Sequence, residues 1–573
     1  MIRPGRRGFP RRLTGAALAV FLLAFCSTGI GAVPTFTKDV APIVAKHCAG
    51  CHDSWLSYDA AQSAAQTIKQ QVQTRAMPPW PADSAHSLKF RNDPRLSERD
   101  IATLVAWVDA GTPKGNDKDL PPVPDSGGQW LNPQGRAPDA IVSLPTIHVE
   151  ATGEVPYIQQ LVKVPVAEDK WLVAMQLLPG NRSLLHHMGI TEVTLPEGMG
   201  PQQINEFAAI ARKHGIPDGS AANIRPAVED PTNPGTYDML GVYTPGSTFE
   251  GFADDSGKLL KGGKNDYINF NIHYTTTGKP ESDHSQLGLW FRATPPGHQL
   301  IRAPIAVDTV IAAGTELLTD SPGTRSEGTR FAIPPIPAYT ESYEVIGLSA
   351  YTQPVTIYQL QPHAHMRARD FTYVAVYPDG RELVLLTVPT YDFHWQLAYQ
   401  LDRPLTLPPG SKLIVTGHYD NSQKHYDERI KADDSAGNCG PEKVVYFRRQ
   451  NQSWDEMFSP LVQYAVSTTA PAGGASRLVK TVGCLGADRS GKWLLTRAAE
   501  PVTTDSQATS AVELKGAAAS PIGTQTLELL GTGVFKPQDH EGRKVAVKGV
   551  LIPAAGYSRI NVTSLQTLAA GCD

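Results

Sequence analysis

Two cysteines and a histidine stand together at Cys48-Ala49-Gly50-Cys51-His52. A C-x-x-C-H run supports one specific chemistry: both thiols add to the vinyl groups of a haem and the adjacent imidazole ligates the iron. Cys48, Cys51 and His52 are therefore expected to hold a covalent haem c, with a zinc half-site as the competing use of the same residue types. Three further histidine groups follow: His186 and His187 in Leu184-Leu185-His186-His187-Met188, His273 in Asn271-Ile272-His273-Tyr274, and His363 and His365 in Gln361-Pro362-His363-Ala364-His365-Met366. Residues two apart on a strand share a face, so His363 and His365 can grip one ion from one strand. Adjacent residues splay, so His186 and His187 chelate together only at a strand end, bend or bulge, with a third ligand such as His273. Imidazole suits copper and zinc alike, whereas a thioether selects Cu(I).

The elements that must position these groups differ along the chain. Residues 34–118 read as a small all-α unit. Val40, Ile43 and Val44 approach Cys48 at helical spacing, and Ser97 caps a helix whose Ile101, Leu104, Val105 and Val108 share a face before Gly111 and Pro113 end it. Within this unit Arg75-Ala76-Met77-Pro78-Pro79 resembles the distal loop of class I cytochromes c. That resemblance makes Met77 the expected sixth haem ligand, with His47 and His86 as alternatives. A Pro-, Gly- and Asp-rich linker covers 119–139. From 140 to 470, short runs rich in Val, Ile, Tyr and Thr, such as Tyr267–Tyr274, Val355–Leu360, Phe371–Val376 and Lys412–His418, predict two antiparallel β-sandwiches, 140–315 and 316–470. A small β module at 477–573, with strands at 545–551 and 560–565, resembles five-stranded barrel modules.

The composition narrows the class. The 573 residues carry a net charge of -4, with no basic run beyond the N-terminus, so nucleic acid is not an expected partner. The 50 Gly and 47 Pro fit a loop-rich, multidomain, mainly β protein. Arg3, Arg6, Arg7, Arg11 and Arg12, the apolar stretch Leu13–Ile30 and the small Gly31 and Ala32 read as a signal peptide over 1–32, an uncleaved anchor being the alternative. The expected location is periplasmic or secreted, with no stable membrane insertion after cleavage. Of the six cysteines, Cys26 leaves with the signal. Cys439, Cys484 and Cys572 remain, and Cys484 with Cys572 is the expected disulfide in an oxidising compartment. His148, His214, His284, His298, His394, His425 and His540 are read as ordinary surface or core residues, and His418, beside Tyr419-Asp420-Asn421 on an expected strand, is left open.

The order H-H-M, H-Y, H-x-H and a late Asp455-Glu456-Met457 resembles the copper type II, ascorbate-dependent monooxygenases, the peptidylglycine α-hydroxylating and dopamine β-type enzymes, over residues 140–470. The resemblance implies two jelly-roll-like copper sandwiches facing one another across a solvent-filled gap. It implies a first copper on His186, His187 and His273 that relays electrons, and a second on His363, His365 and Met457 that carries the O2 chemistry. Two departures bear on substrate. Gln361 stands where the peptide enzymes place a carboxylate-binding Arg, and Leu461 where they place a Tyr. The family's dense disulfide framework is also missing. The function expected is hydroxylation of a C–H bond of a small organic substrate with O2, an external donor feeding electrons through the haem. The alternative is a haem–copper electron-transfer or copper-binding protein with no hydroxylase activity.

Overall fold

The computed structural model describes residues 33–121, 130 and 136–572, apart from 154, 156, 196, 199, 203–224, 227–237, 246–248, 254, 306–307, 324–330, 435–436, 448–452, 468–475 and 555. The expected signal peptide, His214 and most of the linker lie outside the described residues. No described helix is long and apolar enough to cross a membrane.

The N-terminal unit is helical, as its periodicity predicts. Helices run at Ala41–His47, Tyr58–Ser63, Ala65–Gln73 and Glu98–Asp109. Ser97 caps the last by accepting from the Asp100 amide at 3.1 Å. Phe36, Val40, Val44, Leu104 and Trp107 make its core, against which Cys48 packs.

The rest of the chain is mainly β-sheet. A long sheet runs through Ala140–Ser143, Gln286–Arg292, Lys170–Leu178, Ser256–Leu260, His298–Pro304, Leu461–Ser467, Val355–Gln361 and Tyr399–Leu407. Its first half packs on a sheet containing Ile158–Lys163, Asp266–Tyr274 and Leu185–Thr194, through Leu172, Leu177, Leu289, Met188, Ile268 and Phe270. Its second half packs on a six-stranded sheet built around Tyr343–Ala350, Lys412–Tyr419 and Ala368–Val376, through Ile357, Leu360, Tyr464, Phe371, Tyr373 and Val415. The alternation of β-branched and aromatic residues in these strands buries one face against each partner sheet.

Strand pairing adds what composition cannot. His298–Pro304 and Leu461–Ser467 pair antiparallel along their whole length, so both sandwiches share one hydrogen-bonded sheet. Strand Thr309–Ala312, which the bounds 140–315 place with the first sandwich, pairs into the second, together with Thr315–Glu316 at the expected boundary. Near the seam, Lys258 and Asp238 form a fully buried ion pair, and Asp238 also accepts from the Arg302 amide at 2.8 Å.

The last module closes five strands into a ring: Arg477–Ala487, Trp493–Ala498, Gln525–Leu530, Arg559–Ala569, Lys544–Ile552 and back to the first. It is docked, not tethered. Lys412 donates to Gly531 O at 2.8 Å and Val562 O at 2.5 Å, and Ile346, Leu348 and Ile414 join the barrel core. The disulfide joins Cys484 to Cys572, 88 residues apart, as expected. A cross-link of that span lowers the entropy of the unfolded chain by the equivalent of roughly 4–5 kcal/mol. Cys572→Ala is expected to cost much of that stability in urea unfolding followed at the barrel's Trp493; an unmoved midpoint would show that docking alone holds the module.

One buried carboxyl gives a pH signature. Glu192, on Leu185–Thr194, is 2% exposed and accepts from the Lys261 amide at 3.1 Å, and burial raises its pKa to about 8. The folded protein keeps a proton that the unfolded chain sheds at the ordinary value of 4.5. Its stabilising effect is therefore present below that value and is lost as pH rises through the window up to about 8. Thermal midpoints are expected to fall across this window in the parent and to flatten in Glu192→Gln. Parallel curves would show that Glu192 ionises normally.

Candidate metal centre

His187 and His273 sit directly opposite one another on paired strands, and the next step of the register joins Tyr274 to Leu185. His186 is thus the extra residue of a bulge, the condition under which two adjacent histidines turn to one side. The ligand nitrogens of His186, His187 and His273 lie within 4.8 Å of one another. His186 Nε2 and His273 Nδ1 are buried without a hydrogen-bond partner. Burial pulls the His186 pKa down to about 4 and holds those of His187 and His273 well below the ordinary value. Neutral imidazoles, two of them with an enclosed and unclaimed nitrogen, are the form a metal takes up, so the donor set fits copper or zinc.

Asp283, 1% exposed, braces both halves of this set. It accepts from the Asn181 amide at 2.7 Å, at the start of the turn that leads to His186, and from Tyr274 Oη at 2.8 Å, next to His273.

His363 and His365 require a correction. The strand ends at Gln361, so the pair lies in the connection that follows and not on one strand face. Two anchors turn the rings instead. His363 Nδ1 meets Gln396 Oε1 at 2.6 Å, while Gln396 Nε2 donates to Phe393 O at 3.1 Å and so fixes the amide orientation. His365 Nδ1 meets the Asp455 carbonyl at 3.1 Å. Both acceptors assign the proton to Nδ1 and leave Nε2 as the ligand nitrogen of each ring. Burial lowers the His363 pKa to about 4.

The segment Asp455-Glu456-Met457 is fastened to this connection by Glu456, which is 0% exposed. Its carboxylate accepts from the amides of His365 at 2.9 Å, Met457 at 3.2 Å and Arg367 at 2.6 Å. Met457 is 5% exposed, and its carbonyl accepts from Tyr419 Oη at 2.8 Å. Two chain regions 90 residues apart are thereby brought side by side.

A solvent-filled gap between the two histidine sets, implied by the resemblance, is not what the geometry gives. The His187 and His363 rings are 5.8 Å apart between centroids. Phe393 stands among both sets, 5.1 Å from His186, 6.0 Å from His273 and 5.9 Å from His365. Tyr157 stacks on His273 at 4.4 Å, and its hydroxyl is 3.0 Å from His187 Nε2. The shared sheet accounts for this closeness, because it fixes the sandwiches edge to edge.

Sequence reasoning missed Tyr157, Phe393, Gln396 and His394. Tyr157 comes level with His273 only through the pairing of Ile158 with Ile272. The run Tyr391-Asp392-Phe393-His394-Trp395-Gln396 is dense enough in rings to have drawn notice. His394, read as an ordinary surface or core residue, lies 5.8 Å from His186 and pairs with Asp433 at 3.0 Å. His418 is an ion-pairing residue, 2.6 Å from Asp370, which raises its pKa.

In the N-terminal unit, Cys48 and Cys51 are not joined to each other, and the amides of Cys51 and His52 both donate to Cys48 O, at 3.1 and 2.8 Å. This compact turn with two available thiols fits covalent haem attachment. Of the alternatives to Met77, His47 Nδ1 is 2.9 Å from Pro94 O and His86 Nδ1 is 2.5 Å from Asp83, contacts that leave Nε2 of each ring to ligate. The stretch after Met77 docks on the second sandwich, where Trp80 and Phe90 pack on Tyr399 and Leu88 N donates to Leu385 O at 3.0 Å.

No protein-family model matches the chain, and no curated protein matches it. Among solved structures, one of PNGF-II in space group P21 aligns with 57% of this chain at 8% identity and a TM-score of 0.20; the chain spans 65% of that structure's length. A likeness at that score carries no argument about fold or activity.

Proposed function

We propose that this protein is an exported copper-dependent monooxygenase that hydroxylates a C–H bond of a small organic substrate with O2, its electrons arriving through a haem c. In this reading the N-terminal unit is a cytochrome c domain in which Cys48, Cys51, His52 and Met77 would hold the haem. The two sandwiches are jelly-roll-like copper domains, one ion held by His186, His187 and His273 and the other by His363, His365 and Met457. The observation that carries the reading is the convergence of five imidazoles from three distant segments into one nest, with His363 and His365 anchored through Nδ1 by acceptors and His186, His187 and His273 gathered within ligand distance of one another.

Hydroxylation inserts one atom of O2 into the substrate and releases the other as water, consuming two electrons from outside the substrate. Copper, when bound, supplies the one-electron redox chemistry and the reactivity toward O2. The chain does the rest. Gln396 and the Asp455 carbonyl hold protons on Nδ1, so each ring presents Nε2. Glu456 keeps the Met457 segment beside His365. A thioether there favours the cuprous state. Tyr157 and Phe393 fill space that water would otherwise occupy. Gln361, buried and donating to Gln396 O at 3.2 Å, supplies no cation for a substrate carboxylate, which argues against C-terminal peptides as substrates.

Phe393 in the centre of the nest favours, as a second reading, an electron-transfer or copper-binding protein. O2 uptake by the haem-reduced protein, with and without candidate C–H substrates, separates the two. Met457→Ala is expected to abolish substrate-dependent O2 uptake while leaving the haem spectrum unchanged; survival of that uptake would remove Met457 from the oxygen-reactive centre.

A further inference from the structure

The contact between the helical unit and the first sandwich falls on the haem motif itself. Arg182 Nη1 donates to the carbonyl of Gly50, the residue between Ala49 and Cys51, at 3.2 Å. Arg182 lies four residues before His186, in a tightly held turn. The amides of Leu184 and Leu185 donate to Asn181 O at 3.3 and 3.2 Å, the Ser183 amide to Asn181 Oδ1 at 3.0 Å, and the Asn181 amide to buried Asp283. Tyr243, on the strand paired with Met188, lies within electrostatic range of both Arg182 and Cys51. The thiol of the attachment motif, the guanidinium and the strand that carries His187 therefore meet at one seam.

We propose that Arg182 is the positioning residue that seats the haem attachment turn against the first imidazole set, so that the haem delivers its electrons at the copper of His186, His187 and His273. This rests on the functional reading above. In each transfer one electron leaves ferrous iron, which becomes ferric, and one cupric ion becomes cuprous; no bond is made and no proton moves. The route has a material basis: the Gly50 carbonyl, the hydrogen bond to Arg182, and the short braced turn from Arg182 to His186. The helical unit also meets the second sandwich, through Trp80, Leu88 and Phe90.

The test uses the full holoprotein. Haem is reduced with one electron equivalent while copper is cupric, and the loss of the ferrous haem band is followed by stopped flow. Arg182→Ala is expected to slow this phase about ten-fold, the change that losing one charge-assisted hydrogen bond brings to a docking equilibrium. Haem and copper contents and both midpoint potentials should stay as in the parent. Arg182→Lys, which keeps a charged donor, should recover part of the rate. Hydrogen exchange of the haem-loaded, copper-free protein gives a readout independent of electron transfer: Arg182→Ala should raise exchange in a peptide covering 48–57 and spare one covering 98–109. An unchanged rate or unchanged exchange overturns the role of Arg182. A parent protein that binds no haem or no copper, or whose ferrous haem is not oxidised by its own cupric ions, overturns the functional reading instead.

Discussion

His273→Ala is expected to take copper from two ions per chain to one while iron stays at one. His273 is the only member of the first set contributed by the strand Asp266–Tyr274, and it faces His187 in direct register. Its ring is 7% exposed, covered by Tyr157, with Nδ1 buried and unpartnered. Removing it leaves His186 and His187 alone, and two imidazoles on a bulge do not close a coordination sphere. Loss of an outer-shell partner alone typically weakens a metal site by about 10–100-fold, so loss of a ligand should exceed about 100-fold. His148→Ala is the control, because His148 is exposed and bonds Ser282 on a neighbouring strand, apart from both imidazole sets. Metal analysis of the purified chains decides the matter. Two coppers in His273→Ala, or one in His148→Ala, would break the ligand assignment.

The second large effect concerns the haem. Changing Cys48 and Cys51 together to Ser is expected to abolish covalent haem, so that no iron porphyrin stays with the chain after acid–acetone extraction. Neither cysteine is disulfide-bonded. Burial raises the Cys48 thiol to about 11, and Cys48 packs against the helical core, so a haem joined there adds apolar surface to a unit of only four main helices. The helical unit of the double variant should therefore unfold earlier. The two imidazole sets, braced by Asp283, Gln396 and Glu456, should take up copper as in the parent, and an added small reductant should still convert it to the cuprous state. Retention of extractable-resistant haem would falsify the attachment assignment, and loss of copper would show that the sites depend on the haem unit for their shape.

Local periodicity was enough for part of this fold. The turn at Cys48-Ala49-Gly50-Cys51-His52 is contiguous, so its shape needs no distant partner. The Ser97 cap and the strands around 267–274, 355–360, 371–376 and 412–418 are legible because capping and β-branched alternation act over a few residues. The pairing of Cys484 with Cys572 followed from both flanking one module. What the tertiary structure decided depends on hydrogen-bond register and packing between segments far apart in the chain. His186 turns toward His187 and His273 because Tyr274 pairs with Leu185 and makes it a bulge residue. His363 and His365 converge because Gln396 and Asp455 hold their Nδ1 atoms, not because they share a strand. The ladder between His298–Pro304 and Leu461–Ser467 makes one sheet of two sandwiches and closes the space in which Phe393 and Tyr157 sit. Side-chain type states what a residue can ligate; only burial and long-range register state which nitrogens end up facing one another, because both are properties of the packed chain.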